Sequence, residues 1–226
     1  MKNVVISGTS RGIGFELAKL FAHHNFNVLA LSRNSKPLEA LNHTNITVMA
    51  IDLTEEESMA RVQKFVKNNW TQVDLLINNA GTLLNKPFAR TSTQDFIDVY
   101  RVNVFAVAAL TQALLPYFVK NTHTVTISSM GGIQGSIKFP GLAAYSSSKG
   151  AVITLSELLA EEYREKGFIF NVLAIGAVQT EMLAEAFPDY QAPVLPNEMA
   201  AYIYNFATTA YKFYNGQVLQ VSTTTP

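Results

Sequence analysis

The chain contains no cysteine among its 226 residues. Disulfides, thiolate metal sites and cysteine nucleophiles are therefore excluded, and cysteine usage says nothing about the redox compartment. Charge is also scarce. Asp, Glu, Lys and Arg make up 15% of the chain, and 17 basic residues balance 17 acidic ones. With no net field, nothing draws in nucleic acid or a membrane surface. So little charge predicts either a large core or a surface covered by another subunit. No run of about 18 uninterrupted apolar residues occurs, which predicts no membrane span. The start, Met1-Lys2-Asn3, lacks the basic segment, apolar stretch and cleavage site of a signal peptide, so a cytoplasmic protein is expected. His23, His24, His43 and His123 show no ligand spacing alongside carboxylates, and no metal site is expected.

What is present is alternation. Short apolar runs at Val4–Ile6, Val28–Leu31, Thr47–Ile51, Leu75–Ile77, Val125–Ile127, Phe168–Leu173 and Val218–Val221 read as seven strands. Within each run the apolar residues are continuous, as expected where helices cover both faces of a parallel sheet. Helical patterns fall between them at about 13–24, 55–69, 94–120, 145–165 and 197–210. Strand–helix alternation predicts one α/β domain over residues 1–226, a doubly wound Rossmann-type parallel sheet with right-handed crossovers. No repeat or linker divides it.

The first strand runs into Ser7-Gly8-Thr9-Ser10-Arg11-Gly12-Ile13-Gly14 and then a helix. Glycines at such a turn allow a tight bend and close approach of backbone to a pyrophosphate, which the helix N-terminus attracts. The spacing is Gly-x-x-x-Gly-x-Gly, and Ser10, Arg11 and Ile13 lie within it. After the second strand comes Arg33, with no carboxylate before Glu39. A carboxylate there would select NAD by binding a ribose hydroxyl, whereas a guanidinium can bind a 2′-phosphate in bidentate fashion. Arg11 and Arg33 together favour NADP(H) over NAD(H).

Asp52-Leu53 follows the third strand and Asn78-Asn79-Ala80-Gly81 the fourth, both where ligands bind in open α/β sheets. Asp52 is placed to accept from an adenine amino group, and the small residues at 79–81 leave room for a ribose. Tyr145 and Lys149 are one helical turn apart on one face. An ammonium so near a phenol is expected to lower its pKa toward neutrality and make it a usable general acid. Upstream, Ser128-Ser129-Met130-Gly131-Gly132 supplies a hydroxyl that can hydrogen-bond a substrate oxygen.

Taken in order, these motifs resemble the short-chain dehydrogenase/reductase family from residue 3 to about 222. The resemblance implies a catalytic set of Asn103, Ser129, Tyr145 and Lys149, with Ser128 as the structural alternative to Ser129. It implies cofactor contacts from Gly8, Gly12, Gly14, Asn79 to Gly81, Tyr145, Lys149 and Thr180, the last at the nicotinamide carboxamide. Two departures stand out. Ile175-Gly176 replaces the family's usual Pro-Gly, and Ser129 and Tyr145 are 16 apart, with extra residues around Gly135 to Pro140. The expected activity is hydride transfer between NADP(H) and a carbonyl or alcohol. The alternative is a dinucleotide-binding regulatory or scaffold protein without turnover. Met130, Phe139, Met182, Phe187 and Tyr190 predict a hydrophobic small-molecule substrate, and residues 181–197 a short substrate loop. A homodimer or homotetramer is expected through the helices at about 103–120 and 145–165, whose apolar residues exceed one stripe.

Overall fold

The computed structural model describes residues 1–223. Seven parallel strands form one sheet: β1 (Asn3–Ser7), β2 (Asn27–Ser32), β3 (Ile46–Ala50), β4 (Val73–Asn78), β5 (Phe118–Ser129), β6 (Ile169–Ile175) and β7 (Val218–Val221). Their order across the sheet is β3-β2-β1-β4-β5-β6-β7. The chain therefore works outward from β1 to β3, then returns to the other side of β1 with β4. That reversal opens a crevice at the carboxyl ends of β1 and β4, the place where open α/β sheets bind ligands.

The continuous apolar runs are explained by two cores. Val4 and Ile6 of β1 point to one face, where they join Leu17 and Phe21 of α1 (Gly12–His23) and the buried Ile203 and Phe206. Val5, between them, points to the opposite core with Val62, Val66, Leu110 and Leu114. Each fully buried side chain of this size contributes about 1.5–3 kcal/mol, so a strand covered on both sides has no tolerance for alternation.

The remaining helices are α2 (Lys36–Glu39), α3 (Glu56–Asn69), α4 (Thr93–Tyr100), α5 (Ala106–Leu114), α6 (Ala143–Glu162), α7 (Glu181–Ala186) and α8 (Pro196–Thr209). The single helix expected over 94–120 is corrected. A π turn, Arg101–Phe105, separates α4 from α5, and Pro116 ends the run so that Phe118 already belongs to β5. Proline cannot continue a helix interior because its ring clashes with the preceding turn. The whole run Thr93–Tyr117 is long and apolar enough to cross a bilayer by length and composition. Here Val99, Ala106, Val107, Leu110 and Leu114 are buried inside the fold, and so is the polar Asn103. The segment expected as a loop over 181–197 contains α7, which starts where the Thr180 hydroxyl accepts from Leu183 N at 3.3 Å.

Candidate active site

A cleft of about 830 Å³ runs along the carboxyl ends of the strands. Its walls include Gly8, Ser10, Arg11, Gly12, Ile13, Arg33, Asp52, Leu53, Asn79, Ala80, Gly81, Ser129, Tyr145, Lys149 and Thr180. These residues are far apart in sequence and are gathered because each lies at or beyond the carboxyl end of one of six parallel strands, β1 to β6. Gly14 and Asn103 are placed differently, behind the wall.

Gly14 is a packing residue. A Cβ there would lie 2.1 Å from the carbonyl oxygen of Gly8 and 2.5 Å from Asn79 Nδ2, distances no side chain can occupy. Gly8 has φ +75°, in the left-handed region that glycine reaches without penalty. Helix α1 has no side chain capping its first turn and no acid within that turn. Its leading amides and positive dipole end are thus available to an anion, and the turn fits a pyrophosphate.

The Asn79 side chain has a role its sequence position did not reveal. Its Nδ2 donates to the carbonyls of Ser7 (3.1 Å) and Gly8 (3.0 Å), tying the β4 turn to the glycine turn. Ser7 Oγ completes the tie, accepting from the amides of Asn79 and Ala80 at 3.1 Å each. Asp52 accepts from Thr54 N at 2.9 Å and Thr54 Oγ1 at 2.8 Å. These bonds, the backbone one foremost, hold its carboxyl below the usual carboxylate range, and nearby Arg33 adds to the effect.

Tyr145, Ser146, Ser147, Ser148 and Lys149 lie in the first two turns of α6. Lys149 is buried and donates from Nζ to the Ile127 carbonyl at 2.9 Å. Desolvation brings its pKa down to about 8. Its Nζ is 5.8 Å from the centre of the Tyr145 ring. The expected lowering of the tyrosine pKa is corrected: burial raises it, and a hydrogen bond with the Ser129 hydroxyl only partly opposes that rise. A phenolate deprived of water is disfavoured more strongly than this neighbour can offset.

The two serines of β5 differ in what they touch. Ser128 Oγ is buried and donates to the Lys149 carbonyl at 2.8 Å, anchoring α6 to the sheet. Ser129 Oγ accepts from Gly131 N at 3.2 Å and remains on the cleft wall beside Tyr145. Asn103, in the π turn, accepts at Oδ1 from Thr82 N (2.8 Å) and donates from Nδ2 to Thr82 O and Ser148 Oγ, both at 2.9 Å. It bridges the β4 turn and α6 rather than facing the cleft. π turns are rare and concentrate at functional sites. Ser148 was missed by the motif reading. Its place next to Lys149 was the signal, since a serine on that turn faces the neighbouring helix.

Met130, Phe139, Met182, Phe187 and Tyr190 all border the cleft, together with Leu83, Ile137 and Leu142. Ile175 ends β6 opposite Val221, and the Gly176 amide donates to the Val221 carbonyl at 2.9 Å. The sheet is therefore regular where the usual proline is replaced. The second missed residue is Glu185 on α7, which forms a two-armed ion pair with Arg11. Its 174-residue separation from Arg11 left no sequence signal. Among the described residues no cluster of His, Asp and Glu could hold a metal ion.

A parallel doubly wound sheet with a cleft along its carboxyl edge, lined by the glycine turn and by Tyr145 and Lys149, defines a nicotinamide-dependent oxidoreductase. The chain belongs to the short chain dehydrogenase family, which it matches over residues 2–191. It is 27% identical over 199 residues to the 3-oxoacyl-(acyl-carrier-protein) reductase FabG of Haemophilus influenzae, a match covering 87% of this chain and 82% of that protein. It is similar to the solved structure of ElxO with NADP bound, at 28% identity and TM-score 0.85, covering 98% of this chain and 97% of that one. It is also similar to 4-hydroxyisoleucine dehydrogenase complexed with NADH, at 26% identity and TM-score 0.83, with the same coverage.

Proposed function

We propose that this enzyme reduces a hydrophobic ketone or aldehyde with NADPH, and catalyses the reverse oxidation when alcohol and NADP are in excess. The observation that carries the reading is the Ser129–Tyr145–Lys149 group at the cleft wall, with apolar side chains surrounding the mouth. The glycine turn would hold the pyrophosphate, Asp52 and Leu53 the adenine, and Arg33 the 2′-phosphate. Asn79 to Gly81 and Lys149 would border the riboses, and Thr180 the carboxamide. Bound there, the dinucleotide supplies or accepts the hydride.

The remaining chemistry belongs to the chain. A phenol whose pKa is raised by burial stays protonated at neutral pH, which is the form that donates to a carbonyl oxygen. Ser129 shares the substrate oxygen with it, and Lys149 provides the adjacent positive charge. Asn103 positions Ser148 and the β4 turn, and through them the Lys149 end of α6. The apolar mouth, in which Phe139 is 59% exposed and Tyr190 45% exposed, favours an aryl or alkyl carbonyl over a sugar.

NADPH oxidation measured across aryl ketones, aldehydes and sugar ketones tests this reading. Turnover is expected to be fastest with the aryl substrates. A clear advantage for the sugars would refute the hydrophobic substrate. No oxidation with any carbonyl would favour a dinucleotide-binding protein without turnover. Exposed Ile97 and Phe105 on one helical run and Leu158 on α6 support a homodimer or homotetramer through these helices. Similarity to FabG supports a cytoplasmic location.

A further inference from the structure

Helix α7 lies across the cleft and is fastened on both sides by consecutive residues. Glu185 pairs with Arg11 of the glycine turn, its Oε2 accepting from Nη2 at 2.9 Å and its Oε1 accepting from Nη1. The next residue, Ala186, accepts at its carbonyl from Asn85 Nδ2 at 3.0 Å, on the loop after β4. Glu181 stands one turn before Glu185. Its Oε2 would be 3.5 Å from a Cβ at Gly12, and its charge acts on Arg11 in the same sense. Two carboxylates therefore face the turn that offers its amides to an anion.

This arrangement opposes the simple reading of Arg11 as a guanidinium waiting for phosphate. Both of its terminal nitrogens are engaged by one carboxylate, the geometry that also suits a phosphate. A 2′-phosphate arriving at Arg11 meets a resident anion. Either the carboxylate leaves, or two anions share one guanidinium. A dinucleotide lacking that phosphate asks nothing of the pair.

We propose that Glu185 is a cofactor-discriminating residue that competes with the 2′-phosphate of NADP(H) for Arg11. Through the pair, cofactor choice is coupled to the seating of α7, which carries Met182 to the substrate side of the cleft. Glu185 lowers the preference for NADP(H) that Arg11 and Arg33 would otherwise give. It also makes release of α7 accompany entry of the phosphorylated cofactor but not of NADH. The inference rests on the NADP(H) reading given above.

The test is a fluorescence titration of NADPH and NADH binding to the wild-type protein, Glu185→Gln, Arg11→Ala and the double variant. The pair is solvent-exposed, so the effect is modest: Glu185→Gln should tighten NADPH about two- to fivefold. NADH affinity should change by less than about twofold, because no phosphate contests the guanidinium. In the Arg11→Ala background the Glu185 substitution should no longer matter to NADPH. Glu185→Gln that weakens NADPH, or shifts both cofactors equally, would overturn the proposal. So would an undiminished Glu185 effect without Arg11. Wild-type protein that binds NADH more tightly than NADPH would defeat the NADP(H) reading instead. The role of Glu185 would still be decided by the comparison among variants.

Discussion

Strand β5 carries a buried base near each of its two structural surroundings, and the two have opposite uses. Toward its beginning, His123 is fully buried, with Nδ1 2.9 Å from the Ala207 carbonyl and Nε2 3.0 Å from Asn171 Nδ2. Asn171 in turn donates to Tyr214 O and accepts from Gln217 N. Those partners fix the neutral tautomer with its proton on Nδ1. At the other end, Ile127 accepts from Lys149, which is also buried and also bonded to a backbone carbonyl. Both bases are held below their ordinary pKa by loss of water, His123 to about 4 and Lys149 to about 8. The difference is what lies beyond them. His123 is enclosed by β6, α8 and the approach to β7, whereas Lys149 opens onto the cleft. Here the buried base toward the amino side stitches elements together, and the one toward the carboxyl side borders the crevice where open α/β sheets bind ligands.

Substitutions on the two sides should separate accordingly. Tyr145→Phe, beside Lys149, should lower kcat by about 10²–10⁴-fold while leaving NADPH affinity and stability close to wild type. Retention of more than about a tenth of the activity would remove Tyr145 from the role of proton donor. His123→Ala should do the reverse. It leaves Asn171 and the Ala207 carbonyl short of a partner, at a cost of about 1–3 kcal/mol in urea unfolding, with kcat and KM unchanged. An activity loss larger than the stability loss explains would join His123 to the active site.

The pH dependence of stability separates the same two ends. For both bases the folded pKa lies below the ordinary value, so the unfolded chain binds more protons between the two values. Stability should therefore rise with pH from about 4 to 6.5 through His123, and again from about 8 to 10.5 through Lys149. Urea midpoints measured across both windows check this. His123→Asn should flatten only the acid rise and Lys149→Met only the alkaline one. A variant that flattens both would mean that the two ends are not independent.

The sequence revealed these ends unequally. The strands were legible as short apolar runs, most clearly β1, β2 and β4, which are buried on both faces, whereas the outer β3 and β7 are only partly buried. Tyr145 and Lys149 stood out because their one-turn spacing comes after the Ser128-Ser129 strand end and the Asn78-Asn79-Ala80-Gly81 turn, in the family's order. The environment of the tyrosine was not, since burial depends on the whole cleft wall and outweighed the nearby ammonium. Arg11 was visible but Glu185 was not, because the pair is made only when α7 returns across the cleft. Helix α7 itself was hidden by its six-residue length, although Thr180 followed by Glu181 was the start signal available. Asn79 was read as a cofactor contact and Ser7 only as the start of the glycine turn, and their mutual bonds exist only when β1 and β4 are neighbours.

The π turn at Arg101–Phe105 has a consequence for the helix on either side of it. Each extra residue in a turn advances the side-chain fan by about 100° relative to an uninterrupted α-helix. Helix α4 accordingly keeps phase with α6, while α5, past the slip, is in phase with α3 and β4. One helical run thus serves two walls that a straight helix of the same sequence could not face together. Asn103 sits at the phase boundary, where its amide reaches both the β4 turn and Ser148. Deleting one residue between 101 and 105 would restore a single phase and turn either the Asn103 amide or the Leu110–Leu114 stripe away from its neighbour.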